Sequence, residues 1–307
     1  MSEAFRRATI WVGSSLIATL LLTGFGAGEA KRYSGKIAFT MLNNSTTGLQ
    51  GDLFVIGADG TRLRQLTSNA KDEHDPSWSP DGKSIAFVAA TFFDSGQAQS
   101  TITVVAANGS KRRVLLRTQA GQLAFQYAAW SPNGQRIAFT WLRNTTQGLW
   151  LLRMDGSADP VTSEPAQRPS WAADGKRLAY ESSGGIFVVN VKTRKTRLVN
   201  GTGESGCPVW SPNGKWIAVC ASRAAAGFQR ANSIDIVSPT GATRRRVLTG
   251  GVISPVAWSP GSDAILFVRN KDPAKFGDTQ LFIVSLSDHR VTPVPGTEGG
   301  GFASWHR

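Results

Sequence analysis

Few residues in this chain are equipped for chemistry. Histidine occurs only at positions 74, 289 and 306, and cysteine only at 207 and 220. That stock is too small for a disulfide scaffold or a Cys-rich zinc site. No metal-ligand set stands out, and G-x-S-x-G, HExxH, P-loop and CxxC patterns are all missing. His74 is adjacent to Asp75, a pairing that can share a proton in acid–base work, although a polar pair on a loop rim is the simpler reading. Gly201-Thr-Gly203-Glu-Ser-Gly206 fits G-x-G-x-x-G. Such a loop holds a dinucleotide only between a strand and a helix N-terminus, and here Pro208-Val209-Trp210 opens a strand. No cofactor is expected.

Charge offers a second kind of chemistry. Lys and Arg total 34 against 21 Asp and Glu, a net charge of +13 with a pI near 10.3. Much of the excess sits in Lys111-Arg112-Arg113, Arg194-Lys195 and Arg244-Arg245-Arg246. One reading is a solvated edge whose charge blocks sheet-to-sheet association. The other is a face that attracts an anionic polymer, a phospholipid surface or an acidic protein. Nucleic acid is not expected, because no base-stacking aromatic motif accompanies the charge and an export signal precedes it.

That signal comes first in the chain. Arg6 and Arg7 precede an uncharged stretch from Ala8 to Gly28, most apolar over Leu16–Leu22, and Gly28-Glu29-Ala30 supplies small residues for cleavage. Residues 1–30 therefore read as an export signal, with an uncleaved membrane anchor as the alternative. The protein is expected in the periplasm or outside the cell, as a monomer.

The elements that must position these side chains come from a repeat. Trp78-Ser-Pro-Asp-Gly-Lys-Ser-Ile-Ala-Phe87 returns as Trp130-Ser-Pro-Asn-Gly-Gln-Arg-Ile-Ala-Phe139, Trp171-Ala-Ala-Asp-Gly-Lys-Arg-Leu-Ala-Tyr180 and Trp210-Ser-Pro-Asn-Gly-Lys-Trp-Ile-Ala-Val219. A looser copy is Trp258-Ser-Pro-Gly-Ser-Asp-Ala-Ile-Leu-Phe267, and the Trp spacings are 52, 41, 39 and 48 residues. Pro presets φ for a type I turn, Asp or Asn tolerates the second corner, and Gly supplies a left-handed residue closing a three-residue loop. Ile-Ala-Phe then reads as a strand buried on both faces. A third strand follows in each unit, such as Ile102–Val105 or Ile234–Val237, then a turn such as Ala107-Asn108-Gly109 and a polar-apolar fourth strand. Four strands per 40–50 residues with no helical period make a β-propeller blade.

The ends complete the ring. Phe302-Ala303-Ser304-Trp305 is an inner strand without its partner, and Gly35-Lys36-Ile37-Ala38-Phe39 is a second strand without its Trp strand. Joined, they form a sixth copy, with Trp305 lying 47 residues after Trp258. The expected fold is all-β: a six-bladed propeller of four-stranded antiparallel blades over residues 31–307, closed by strands from both termini.

These Trp-Ser-Pro-Asp-Gly-Lys-x-Ile-Ala-Phe copies resemble the TolB-type six-bladed propeller family, over about residues 35–307. The family includes TolB, which carries an α/β domain ahead of its propeller, and the propellers of prolyl-oligopeptidase-like peptidases, which accompany a hydrolase domain. With neither domain read in this sequence, the resemblance implies a binding or scaffolding propeller. It also implies that the region around the channel mouth receives a protein or envelope partner.

The topology puts the connections that enter each Trp strand at that mouth, with the long loops between second and third strands. His74, Asp75, Tyr127, Arg168, Glu204 and Glu298 are the expected partner-binding residues, set against the plainer reading of exposed loop polar groups. An enzyme using His74, Asp75, Arg168 and Glu204 is the alternative, as is a module that uses the basic face. Cys207 and Cys220 lie on one hairpin. A two-residue Asn213-Gly214 turn makes them face each other and permits a disulfide; a three-residue Pro212–Gly214 loop sets Cys207 opposite Val219 instead.

Overall fold

The structure is a computed structural model that describes residues 33–307 apart from 46–47, 70, 94–97, 120–124, 144–145, 201–204, 222–232 and 272–277. The signal or anchor expected over residues 1–30 and the site residue Glu204 lie outside the described residues. Every regular element that is described is a strand.

In chain order the first blade holds β1 (Lys36–Ser45), β2 (Gly48–Gly57) and β3 (Arg64–Gln65). Next come β4 (Asp72–Trp78), β5 (Ser84–Phe92), β6 (Ala98–Ala106) and β7 (Arg113–Arg117) in blade 2. Blade 3 has β8 (Phe125–Trp130), β9 (Arg136–Arg143), β10 (Thr146–Arg153) and β11 (Ala158–Pro160). Blade 4 has β12 (Gln167–Trp171), β13 (Arg177–Ser182), β14 (Gly185–Asn190) and β15 (Thr196–Asn200). Blade 5 has β16 (Ser205–Trp210), β17 (Ile217–Ala221), β18 (Ser233–Val237) and β19 (Arg244–Thr249). Blade 6 has β20 (Val252–Trp258), β21 (Ala264–Asn270), β22 (Thr279–Ser285) and β23 (Val291–Pro293). The last strand, β24 (Gly300–His306), pairs antiparallel with β1, Trp305 opposite Ile37, and completes blade 1. Six four-stranded antiparallel sheets thus form among the described residues, with the ring closed by both ends of the chain.

No blade has a core of its own. Each apolar cluster is shared by two neighbours: Ala38, Leu53 and Val55 of blade 1 pack with Trp78, Ile85 and Phe87 of blade 2, while Ile37, Phe39 and Ile56 pack with Leu266 and Ile283 of blade 6. The period-2 alternation of a strand sends Ile37 and Ala38 to opposite neighbours, which is why the second strands are apolar throughout.

The turn after each Trp is tied by its own side chains. Ser79 donates its hydroxyl to Asp81 Oδ1 at 2.6 Å and accepts the Ser84 N–H at 2.9 Å. Ser131 with Asn133 and Ser211 with Asn213 repeat the arrangement. Gly82, Gly134, Gly175 and Gly214 take the left-handed corner, and in the loose fifth copy Ser262 takes it with φ 59°. The loop is one residue longer than expected from Pro and Gly alone: Ser79 N–H bonds Ser84 C=O, so Pro80–Lys83 are the four loop residues.

At five of the six Trp positions the residue before the Trp accepts a hydrogen bond from the next blade's Trp. Where it is Ser, the next Trp donates its backbone N–H to that hydroxyl: Trp130 to Ser77 at 2.9 Å, Trp210 to Ser170 at 2.8 Å, and Trp78 to Ser304 at 3.2 Å across the closure. Where it is Ala129 or Val209, the next Trp donates its indole N–H to the backbone carbonyl instead, Trp171 at 3.0 Å and Trp258 at 2.8 Å. The Trp305 indole bonds Ser34 C=O at 3.0 Å, holding the start of the propeller to its end.

Candidate binding site at the channel mouth

The inner strands converge on a central channel, and each bulges just before its Trp. Ladder register slips between His74 and Ser77, Gln126 and Ala129, Gln167 and Ser170, and Gly206 and Val209. Asp75, Tyr127, Arg168 and Cys207 occupy the slips, all left-handed, with φ of 54°, 56°, 56° and 53°. A bulge re-aims the side chain it carries. These four side chains accordingly line a channel cavity of about 590 Å³, together with Phe302 of β24.

A left-handed conformation costs a non-glycine residue roughly 1–2 kcal/mol. In three of the four the preceding blade offsets that cost by accepting the N–H that the bulge frees from the ladder. Tyr127 N–H donates to Asp75 Oδ2 at 2.6 Å, Arg168 N–H to Thr140 Oγ1 at 3.3 Å, and Cys207 N–H to Glu181 Oε2 at 3.0 Å.

The side chains form a chain of contacts that runs from blade 1 round to blade 5. The His74 ring lies tilted against Phe302, centroids 5.9 Å apart, and its Nδ1 is 2.8 Å from Asp75 Oδ2. Arg168 lies over the Tyr127 ring at 4.5 Å and 3.7 Å from Glu181. Burial opposes charge on His74, but Asp75, by its charge and its hydrogen bond, and then Asp72 outweigh it and raise the imidazole above its ordinary pKa. Burial raises the Tyr127 phenol. Above Asp75 a second recess of about 310 Å³ opens between Thr40, Glu73, His74, Gln126 and Phe302.

His74, Asp75, Tyr127 and Arg168 are therefore brought together as expected from the topology. Glu298 is not: it is exposed beside β22, accepting from Gln280 Nε2 at 3.2 Å, and lines neither cavity. Glu181, Phe302 and, as a channel residue, Cys207 were missed. A signal for Cys207 and Phe302 exists, because Asp75, Tyr127, Arg168, Cys207, Pro255 and Phe302 all stand three residues before a repeat Trp. Glu181 lies on a second strand and has no such mark.

The cysteines follow neither expected register alone. Near the turn Trp210 faces Ile217, the pairing that would bring Cys207 opposite Cys220. Beyond the bulge Gly206 faces Cys220, so Cys207 itself sits in the slip. Both cysteines are free, and Cys207 packs against the apolar cluster that holds Cys220.

The basic clusters divide. Arg112 bonds the fully buried Glu73 at 2.8 Å, and Arg244 and Arg246 both bond the buried Asp235, so these three neutralise internal carboxylates. Lys111, Arg113, Arg194, Lys195 and Arg245 are exposed on the outer strands and turns.

A model of the TolB beta propeller domain matches residues 27–185. The chain belongs to the TolB β-propeller family. Among solved structures, the TolB-type propeller is similar to TolB from Acinetobacter baumannii, with a TM-score of 0.73 and 18% identity over 90% of this chain and 67% of that one. It is also similar to a TolB-like protein from Agrobacterium tumefaciens, with a TM-score of 0.62 and 17% identity over 91% of this chain and all of that one. Curated relatives include the Tol-Pal system protein TolB of Alcanivorax borkumensis, 37% identical over 20% of this chain and 16% of the relative. Another is dipeptidyl-peptidase 5 of Porphyromonas gingivalis, 22% identical over 79% of this chain and 43% of the relative. The TolB-type propeller thus spans less than half the length of either curated relative.

Proposed function

We propose that this protein is an exported, non-catalytic propeller that receives a protein or cell-envelope partner at the channel mouth. The observation that carries the reading is the girdle of Asp75, Tyr127, Arg168 and Cys207, four non-glycine residues held left-handed at one level of the channel. Strained conformations persist where the surrounding structure enforces them, and they gather at functional sites. Similarity to the TolB of the Tol-Pal system supports a partner of envelope type. The signal read over residues 1–30 supports export.

The test pairs affinity capture from the native envelope with a triple variant, His74→Gln, Tyr127→Asn and Arg168→Asn. Asn tolerates the left-handed backbone, so the scaffold is spared. The partner retained by the wild type should be lost by the variant above neutral pH, where His74 contributes least to stability and the variant stays folded. Equal retention by both sinks the reading and turns attention to the exposed cations, where binding should fall steeply with salt. A second reading, an enzyme with its acid–base pair at the mouth, is favoured by the 2.8 Å His74–Asp75 contact and by the peptidase name of one relative. Turnover abolished by His74→Ala alone would establish it.

A further inference from the structure

One member of the girdle, Cys207, lies beside a second thiol, Cys220. Cys207 sits in the β16 bulge and lines the channel cavity, whereas Cys220 on β17 is 9% exposed and packs among Ile234, Ile236 and Phe267. Cys207 packs against the apolar cluster that holds Cys220, and the residue beside it, Gly206, faces Cys220 across the hairpin, so the two side chains are neighbours. Arg168 and Tyr127 line the same stretch of channel wall.

We propose that Cys207 is a channel-facing modification site that reacts with low-molecular-weight disulfides and is resolved by Cys220. In the first step the Cys207 thiolate attacks one sulfur of the disulfide. A bond forms from Cys207 to that half, the original S–S bond breaks, and the leaving thiolate takes up a proton. Cys220, losing its proton to solvent, then attacks the Cys207 sulfur and expels the second half as a thiol. The protein loses two protons and two electrons, and the reagent disulfide is reduced to two thiols.

The two cysteines have different parts because their surroundings differ. The Cys220 hydrogen bond favours the thiolate at Cys207; burial opposes it, and the Arg168 charge favours it again, leaving Cys207 below the ordinary thiol pKa. Cys220, beside Cys207 and buried, is held well above it. A thiolate beside a cation and open to a cavity is the reactive kind of cysteine, and a buried thiol is inert. Because Cys207 lines the cavity while Cys220 is buried, Cys207 is the attacking sulfur and Cys220 the resolving one.

The experiment uses the purified full chain with glutathione disulfide, read by intact mass and peptide mapping. The wild type should lose both free thiols, its mass falling by two hydrogens, without a lasting adduct. Cys220→Ser should stop at one glutathione adduct on the Cys207 peptide, and Cys207→Ser should take none. If either variant fails to fold, brief alkylation of the reduced wild type serves: Cys207 should be labelled roughly tenfold faster than Cys220. An adduct on Cys220 in Cys207→Ser, equal labelling of both thiols, or two thiols that survive in the native wild type and react only after denaturation would each overturn the proposal.

Discussion

At the scale of single residues, position three before the repeat Trp carries most of the meaning. A bulge there turns Asp75, Tyr127, Arg168 and Cys207 to left-handed φ, and the acceptor that stabilises three of them is a side chain from the blade before. The cost of that backbone depends on the branch at Cβ. Arg168→Asn should melt close to wild type, while Arg168→Val should lose on the order of 1–2 kcal/mol more, since a β-branched residue fits left-handed φ worst. Chemical denaturation of the two variants compares them directly, and equal stabilities would mean that the backbone relaxes. His74 makes a pH-dependent contribution. Its folded pKa is raised by Asp75 and Asp72 against the pull of burial. That stability is complete below the unfolded value of about 6.5 and is lost as pH rises through the folded value. His74→Gln should therefore lower the melting temperature most in mild acid, with the difference shrinking above neutrality. A difference that grew with pH would contradict the ion pair.

At the scale of elements, β24 decides whether the ring is a ring. Its Trp305 is 9% exposed, packs with Ile37, Leu266 and Ile283, and bonds Ser34 C=O through the indole, while Ser304 accepts the Trp78 N–H. Trp305→Ala should cost roughly 3–5 kcal/mol by large-to-small core measurements. Removing residues 303–307 should cost more, because it also strips the ladder from β1 and leaves an open edge. Unchanged urea midpoints in both proteins would show that the strand is dispensable. The hairpin turns are closed mainly from within, although Asn213 N–H also donates to Ser262 Oγ in the next blade's turn at 3.1 Å. Their Ser and Asx side chains close them from within, so changes there should act on stability and leave partner capture alone.

At the scale of the whole molecule, six shared clusters join every blade to two neighbours. Stability in such an array is a sum of neighbour terms, and opening one interface removes support from the next. Truncation of β24 should thus speed hydrogen exchange in β9 and β13, on the far side of the ring, as well as in β1 and β5. Loss of protection confined to blades 1, 2 and 6 would mean that the blades open independently. The channel inherits its rigidity from this arrangement, since its wall is one strand from each blade.

The repeat alone determined the fold class, the blade count and the velcro closure, because strand period, turn residues and the Trp spacing are local properties that survive in one dimension. It also placed His74, Asp75, Tyr127 and Arg168 at one end of the channel, since strand order in a propeller dictates which connections meet. Three things depended on tertiary structure. The bulges follow from how inner strands crowd around an axis, and they decided that Cys207 points into the channel in place of facing Cys220 squarely. Glu181 joined the girdle, and Glu298 left it, because distance from the axis is invisible to sequence spacing. Likewise Arg112, Arg244 and Arg246 read as surface charge until Glu73 and Asp235 proved to be buried beneath them. A charge cluster in sequence does not reveal which of its members a buried carboxylate will claim.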